Sequence, residues 1–588
     1  MTAAAASSRL VFWPRLCWLS LARRGVVTQS FSRSFSMPRR PSVQPHRQAL
    51  STTPLRRWNS VFFSGDDDTV YALSTAPGRA GIAIVRISGP AALDVYRGLC
   101  PGQTQLKARH ATLRTLHDPR PGYSAEILDA GAVVLYFPAP KTATGEDVLE
   151  LHVHGGTATV KSVLAAIPRC RPPDSQAAGR LKIRYAEPGE FTKRAFINGR
   201  LDLAQVEGLS SVLSAETEQQ RRAAVRGSSG VLGETYESWR NKLLLARGEI
   251  EALIDFSEDQ HFDESPADLL RNVARYVRQL LASIKQHERA SERSELLRSG
   301  IRIALVGPPN VGKSSLVNLI VGREASIVSS EAGTTRDIIE VSLDIRGYLC
   351  YFADTAGFRE TTAGEEIAVG NIEMEGIRRA RKKAEESDIV AAVASIEPHS
   401  ESPTGFTIEF DAETLRLAAA AKSRMLIINK TESVTPEVYL DLVQGFLAKA
   451  YAIAPGLKGT EPIGISCAQA VADDMGYTDS LESEDSGNIQ YLSNQLVAAF
   501  ERMTSLPVEM QDLLGVTGRQ RQLLEECRAH LQDFLAVSDP QSDVDAEGDI
   551  VIAAEYLRAA ANCLAKITGR GESPDVEDVL GVIFENTE

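Results

Sequence analysis

Acidic residues are missing from the start of this 588-residue chain: no Asp or Glu precedes Asp66, and the same stretch contains no Lys. It holds instead Arg9, Arg15, Arg23, Arg24, Arg33, Arg39, Arg40, Arg47, Arg56 and Arg57, among many Ser. An Arg-rich, Ser-rich, acid-free leader has the composition of an organelle import peptide, so mitochondrial import is expected. No secretory cleavage pattern is present. Long apolar runs are absent too. None reaches the ~18 residues a membrane-crossing helix requires, so no membrane span is expected. Cysteine is sparse and scattered (Cys17, Cys100, Cys170, Cys350, Cys467, Cys527 and Cys563), without the paired spacing of zinc sites. That pattern excludes a disulfide framework and suits a reducing compartment. A broad basic face is also lacking. The formal charge is −13, and it becomes −23 once the ten leading arginines are set aside. Any nucleic-acid contact must therefore come from a local patch.

The length calls for three or four domains. From Asp66 to Gly189 the pattern is α/β, with "GIAIVRISG" and "GAVVLYFPAP" as β-branched strand runs. From Phe191 to Ser299 it turns helical, and Leu270, Val273, Val277, Leu280 and Ile284 form a stripe. Strands and helices then alternate to about Thr504: "IRIALVG", "LCYFADTAG", "DIVAAVASI", "RMLIINK" and "PIGIS" predict a mostly parallel sheet. Asp473 to Asn488 is acidic and predicts a polar insertion. Helical spacing returns with Leu524, Cys527, Leu531 and Phe534, and again in "EYLRAAANCLAKITG".

"GPPNVGKSS", Gly307–Ser315, matches G-x-x-x-x-G-K-[ST] between a strand and a helix. In such a loop backbone N–H groups turn toward phosphates, Lys313 reaches the terminal ones and Ser314 can bind Mg²⁺. Asn310, Val311, Gly312 and Ser315 complete the predicted cradle. "AGTTRD" supplies Thr335, or Thr334, as a switch threonine for Mg²⁺ and the γ-phosphate. "DTAG" sets Asp354 near the metal and Gly357 near the γ-phosphate, with Thr355 and Ala356 between them. "NKTE", with Asn429, Lys430 and Glu432, follows a strand and would read the base. "SCA" (Ser466, Cys467, Ala468) follows the next strand. This ordered set specifies a GTPase, since a generic P-loop ATPase does not need the base-reading pair. Glu432 stands where GTPases carry Asp. The carboxylate is kept but is one methylene longer, and a charge-assisted hydrogen bond is worth ~1.5–3 kcal/mol. Phe358 follows "DTAG" where small signalling GTPases place a water-orienting Gln, and Phe can neither donate nor accept. Asn310 and the carbonyls of "SIVSSEAGTTRD" could together hold a monovalent cation against the phosphates. Equally, Asn310 could simply fill a variable loop position.

Longer motifs, the first three outside the nucleotide site, carry a wider likeness: "TAPGRAGIAIVRISG", "TGEDVLELHVHGG", "RYAEPGEFTKRAFINGRLDLAQVEGL", "GREASIVSSEAGTTRD" and "DTAGFRE". From about Thr69 to Phe584 the chain resembles the MnmE (TrmE) family of tRNA-modification GTPases in its mitochondrial form. The resemblance implies a multidomain α/β plus α protein. Its expected parts are a transit peptide over 1–65 and a tetrahydrofolate-binding and dimerisation domain over 66–190. A discontinuous helical domain is expected over 191–299 and 506–588, with a Ras-like P-loop GTPase domain inserted at 300–505. It further implies a homodimer that hydrolyses GTP with an MnmG-type FAD protein as partner. The substrate is tRNA, and the product a carboxymethylaminomethyl-type group at C5 of the wobble uridine. A 5-formyltetrahydrofolate or related folate would be held by Arg86, Glu150 and Arg200, the last replacing a Lys of bacterial relatives. Potassium would stimulate hydrolysis through Asn310, Ser329, Glu331 and Thr334. Glu373 would orient the water beside Lys313, with Glu365, Glu366 and Glu375 as competitors because "TTAGEEIAVGN" looks longer than in bacterial relatives.

Family members end in Phe-Cys-x-Gly-Lys, whereas this sequence ends "GVIFEN" followed by Thr587 and Glu588. The expectation is either a truncated product or a GTPase that does not complete the modification. Cys563, on a helical stripe, reads as core. The cluster "RRARKK", 378–383, reads as a solvated helix face. The alternatives are an Era-like RNA-binding GTPase of mitochondrial ribosome assembly and a modification-deficient homologue.

Overall fold

The structure, a computed structural model, describes residues 68–120, 126–170, 182–255, 266–323, 325–327, 341–353, 381–474, 485, 487–538 and 550–570. The expected transit peptide, 1–65, the acidic stretch 475–484 and the C-terminal residues 571–588 lie outside the described residues.

The first sheet contains β1 (Thr69–Leu73), β2 (Ile82–Ser88), β3 (Thr112–His117), β4 (Ile127–Phe137), β5 (Val148–His154) and β6 (Ile183–Tyr185). Its order is β3-β4-β5-β2-β1-β6, antiparallel except for the β1–β6 pair. Alternation along the strands separates its faces. Val85, Ile87, Leu149, Leu151 and Val153 pack into one core with residues of α1 (Ala92–Leu99) and α2 (Thr157–Ala166). Arg86, Glu150 and His152, of opposite parity, are only partly buried.

Next come α3 (Glu190–Ile197), α4 (Leu203–Leu213), α5 (Glu218–Gly227), α6 (Val231–Asp255) and α7 (Pro266–Ser299). A capping box opens α4: the Asp202 carboxylate accepts from Gln205 N at 2.8 Å, and Gln205 Oε1 accepts from Asp202 N at 3.0 Å. On α7 the predicted stripe faces inward, with Val273, Val277, Leu280 and Ile284 buried.

The second sheet holds β7 (Ile301–Val306), β8 (Ala325–Ile327), β9 (Val341–Ile345), β10 (Tyr348–Ala353), β11 (Ile389–Pro398), β12 (Phe406–Glu409), β13 (Ser423–Asn429) and β14 (Pro462–Gly464). It runs β14-β13-β11-β7-β10-β9-β8, with β12 on β11. The five strands from β14 to β10 are parallel, as predicted, while β9, β8 and β12 add antiparallel pairing. Along β11, Ile389, Ala391 and Val393 enter one core while Val390, Ala392 and Ala394 enter another. A strand buried on both faces reads as a continuous apolar run. Around this sheet lie α8 (Lys313–Arg323), α9 (Ala412–Ala420), α10 (Pro436–Ile453), α11 (Cys467–Asp474) and α12 (Ile489–Thr504).

The last helices are α13 (Gly518–Ser538) and α14 (Ile550–Thr568). Leu524, Leu531, Phe534, Leu557 and Leu564 share one core with Leu243, Ile250, Val277 and Ile284 of α6 and α7. Helices from before and after the second sheet therefore fold as one body. Cys563 lies in that core, and all six described cysteines are free and buried. No helix of the described residues is long and apolar enough to cross a membrane.

A buried polar knot joins the helical pieces. Glu207 on α4 accepts from Thr517 Oγ1 at 3.0 Å and Gln520 Nε2 at 2.7 Å, and from Arg519 Nε. The Arg519 guanidinium continues to the Lys566 and Ile567 carbonyls, 3.1 Å each, and so caps the C-terminus of α14. Beside it, Arg298 at the end of α7 donates to Val516 O at 2.7 Å. Gly227 and Gly515 let two backbones cross: a Cβ on Gly515 would sit 2.4 Å from the Gly227 Cα. Replacing Arg519 by Ala leaves the Glu207 charge short of its cation, so the urea unfolding transition of the helical body should lose about 3 kcal/mol. Arg519→Lys should recover little of it, because an ammonium cannot fork to both carbonyls. An unchanged midpoint in Arg519→Ala would show that the knot contributes nothing.

Candidate functional site

β7, β11, β13 and β14 end on the same edge of the second sheet, and the loops that follow them form the site. Ligands of parallel sheets bind at this carboxyl edge. After β7 the loop 307–312 leads directly into α8. Val311 is buried in the sheet core and anchors the loop. Gly307 lies so close to β11 that a Cβ would fall 2.2 Å from the Val393 carbonyl. Gly312 has φ +96° and a Cβ there would meet Asn429 Nδ2 at 2.1 Å. The loop thus requires glycine at both positions, for closeness at one and for closeness and handedness at the other.

Lys313 Nζ donates to Gly307 O at 2.9 Å and Pro308 O at 2.6 Å, so its own loop occupies the ammonium. Burial lowers the Lys313 pKa. An anion entering the loop would displace the carbonyls and favour the charged ammonium. Ser314 and Ser315 lie in the first turn of α8, where backbone N–H groups are free of intrahelical partners. Asn310 is exposed with φ 64°. Asn tolerates that left-handed backbone better than most residues, which is one reason for its presence, apart from any cation.

At the other end, Asn429 is 2% exposed and bridges three loops. Its Nδ2 donates to Val311 O at 2.9 Å, and its Oδ1 accepts from Cys467 N at 3.2 Å. The amide keeps a second N–H for a ligand. Lys430 has φ 65°, and Glu432 is exposed in the 3-10 turn Thr431–Ser433. Ser466 Oγ accepts from Gln469 N at 3.0 Å, capping α11, and Ala468 is exposed. Burial pushes the Cys467 thiol up to about 11, so it is a packing group and no nucleophile. One residue escaped the sequence reading: Glu397, at the end of β11, pairs with Lys430.

The switch residues Ser329, Glu331, Thr334, Thr335, Asp354, Thr355, Ala356, Gly357, Phe358 and Glu373 lie outside the described residues. So do Glu365, Glu366 and Glu375. Of the "RRARKK" cluster, Arg381 pairs with Glu385 at 3.3 Å and Lys382 with Glu386 at 3.9 Å, both pairs exposed. A solvated helix face satisfies its charges in this way.

On the first sheet, Arg86 and Glu150 are register partners on β2 and β5. Arg86 Nη2 and Nε donate to Glu150 Oε1 at 3.0 and 3.1 Å, and His152 Nε2 lies 3.5 Å from Oε2. The Arg86 guanidinium also stands over the Phe191 ring, 5.7 Å from its centre. The structure thus brings two of the three predicted folate residues into contact. Arg200 is exposed and donates through Nε to the Thr142 carbonyl at 3.0 Å.

Residues 69–200 match a family described as GTP-binding protein TrmE N-terminus, and residues 203–586 match the MnmE helical domain. The tRNA modification GTPase MnmE of Parvibaculum lavamentivorans is 38% identical over 88% of this chain and 99% of its own length. The mitochondrial 5-taurinomethyluridine-[tRNA] synthase subunit GTPB3 of Homo sapiens is 36% identical over 90% of this chain and 95% of its own. The mitochondrial tRNA modification GTPase mss1 of Schizosaccharomyces pombe is 37% identical, covering 88% and 94%.

Gly312→Ala should weaken guanine-nucleotide binding by at least about tenfold, because the left-handed backbone alone costs ~1–2 kcal/mol before the clash with Asn429. Equilibrium titration with a fluorescent GDP checks this, and an unchanged affinity would mean the loop does not form the cradle described.

Proposed function

The chain belongs to the MnmE (TrmE) family of tRNA modification GTPases, and on that premise we propose that it hydrolyses GTP in mitochondria to serve modification of the tRNA wobble uridine at C5. The observation that supports its nucleotide part is the Asn429 bridge, which ties the loop 307–312 to the loop 466–468 in one preformed edge, while the tRNA role rests on the family.

The residues divide the work by chemistry. Backbone N–H groups of the loop 307–312 and the first turn of α8 would cradle the phosphates, and Lys313 would exchange its two carbonyls for terminal phosphate oxygens. Asn429 and Glu432 would read the guanine. Mg²⁺, held by Ser314 and Thr335 with Asp354 nearby, would supply charge stabilisation on the phosphates. Potassium at Asn310, Ser329, Glu331 and Thr334 would add a second cation. Glu373 is assigned the water-orienting duty that Phe358 cannot perform. Of these cation ligands, Asn310 and Ser314 are described; both belong to the loop or its first helical turn, which supports the reading.

For a folate, the Arg86–Glu150 pair supplies a cation and an acceptor on the partly open face of the first sheet, and Arg200 a second cation. A carboxylate would compete for Arg86, and a heterocycle's N–H groups for Glu150. That the two charges neutralise one another when alone is compatible with such exchange. We further assign an MnmG-type flavoprotein as partner, homodimerisation through residues 66–190 and insertion of the GTPase domain, residues 300–505, between two helical halves. The helical core shared across the sheet supports that insertion. Ribosome assembly, the competing role, gains no specific observation.

Mass spectrometry of mitochondrial tRNA from cells lacking the gene should show loss of the C5 group at the wobble uridine, and an unchanged nucleoside profile would refute the function. Calorimetric titration with 5-formyltetrahydrofolate should show binding that Arg86→Ala weakens by about tenfold or more, the worth of one charged hydrogen bond. Equal binding by both proteins would move the folate elsewhere.

A further inference from the structure

Glu397 lies at the C-terminal end of β11, outside every motif of the sequence. Its carboxylate accepts from Ser395 Oγ at 2.7 Å and from the Lys430 ammonium. Ser395 is fully buried and is the register partner of Asn429 across β11 and β13. Burial works to raise the Glu397 pKa, but Lys430 and Ser395 outweigh it and hold the carboxyl below the usual range. The group is therefore an anion at neutral pH.

Lys430 is fixed at its other end as well. Its left-handed backbone, φ 65°, is a conformation that a residue with a Cβ keeps only when its surroundings impose it. Thr431 imposes it: its N–H and Oγ1 donate to the Ile465 carbonyl at 3.2 and 3.0 Å. Between a fixed backbone and a fixed ammonium, the four-carbon stem is a preset apolar surface. It belongs to the residue next to Asn429 and two before Glu432.

We propose that Glu397 is a positioning residue for guanine recognition, holding the Lys430 stem as a ready-made apolar platform for the purine ring. The proposal rests on "NKTE" being the base-reading motif. It gains weight in this chain because Glu432 has one more rotatable bond than the Asp it replaces, and ordering that bond costs side-chain entropy. A platform fixed in advance lowers the remaining ordering cost of binding. The competing view is an ordinary rim ion pair, with side chains 32% and 28% exposed, worth little to anything.

The full chain, with Glu397→Gln, Glu397→Asp and Glu432→Ala, distinguishes these. Fluorescent GDP and GTP analogues give Kd, steady-state hydrolysis gives KM and kcat, and competition with ATP gives base discrimination. Glu397→Gln should weaken GDP and GTP alike by about tenfold and raise KM, with kcat within about twofold, the signature of lost uniform binding. Glu397→Asp should recover most of the affinity. Unchanged Kd in Glu397→Gln overturns the proposal, as does a fall in kcat at constant KM. Should Glu432→Ala leave discrimination against ATP intact, the base-reading premise itself fails. If discrimination is lost in Glu432→Ala while Glu397→Gln binds normally, only the platform fails.

Discussion

A single buried amide, Asn429, closes the nucleotide end of the second sheet. Its two polar atoms face the phosphate loop on one side and the Ser466–Ala468 loop on the other. Without that bridge, Val311 O and Cys467 N would be left at a buried edge without these partners, at a cost of ~1–3 kcal/mol each. The glycines follow from the same constraint: Gly312 has no side chain because the amide occupies that space. Lys430, next in the chain, pairs with Glu397, and on the proposed assignment phosphate and base recognition would share this one support.

The second sheet is mounted on the helical body at the end opposite the candidate site, where the neighbouring parallel strands β7 and β10 begin. β7 starts two residues beyond Ser299, the last residue of α7, whose Arg298 is tied to Val516. On α5, Gln219 N donates to Gly347 O, in the turn between β9 and β10, at 3.0 Å, while Gln220 Nε2 donates to Arg298 O at 3.1 Å. One short helix thus touches the end of α7, which leads into the strand that feeds the phosphate loop, and the hairpin whose second strand ends just before Asp354. The Glu207–Arg519 knot lies behind these contacts and joins helices from both halves of the helical sequence.

Much of this was legible in the sequence because its signals are local. The apolar runs of β7, β11 and β13, the stripe of α7 and the spacing of Gly307, Gly312 and Lys313 each sit within a short window, and the structure places them as read. The β5 segment "VLELHVH" registered as a family motif rather than as a strand, because Glu150 and the two His dilute its β-branched character. Its role is fixed only by pairing with β2 and β4. Glu397 was invisible for a related reason. An acid at a strand end has no distinguishing pattern until the fold brings it against Lys430, a residue 33 positions away. The knot of Glu207, Arg519 and Gln520 spans more than 300 residues and likewise has no sequence signature. Arg86 and Glu150 were named through family resemblance, and their mutual pairing across two strands could not have been read from either.

The most direct measurement is the affinity of Asn429→Ala for GTP and GDP, taken beside the urea unfolding of the helical body. The account predicts a loss of about a hundredfold for both nucleotides, from two buried groups left without partners at ~1–3 kcal/mol each, with helical unfolding unmoved. Wild-type affinity in that variant would contradict it, since the phosphate loop and the base-reading loops would then hold together without the amide.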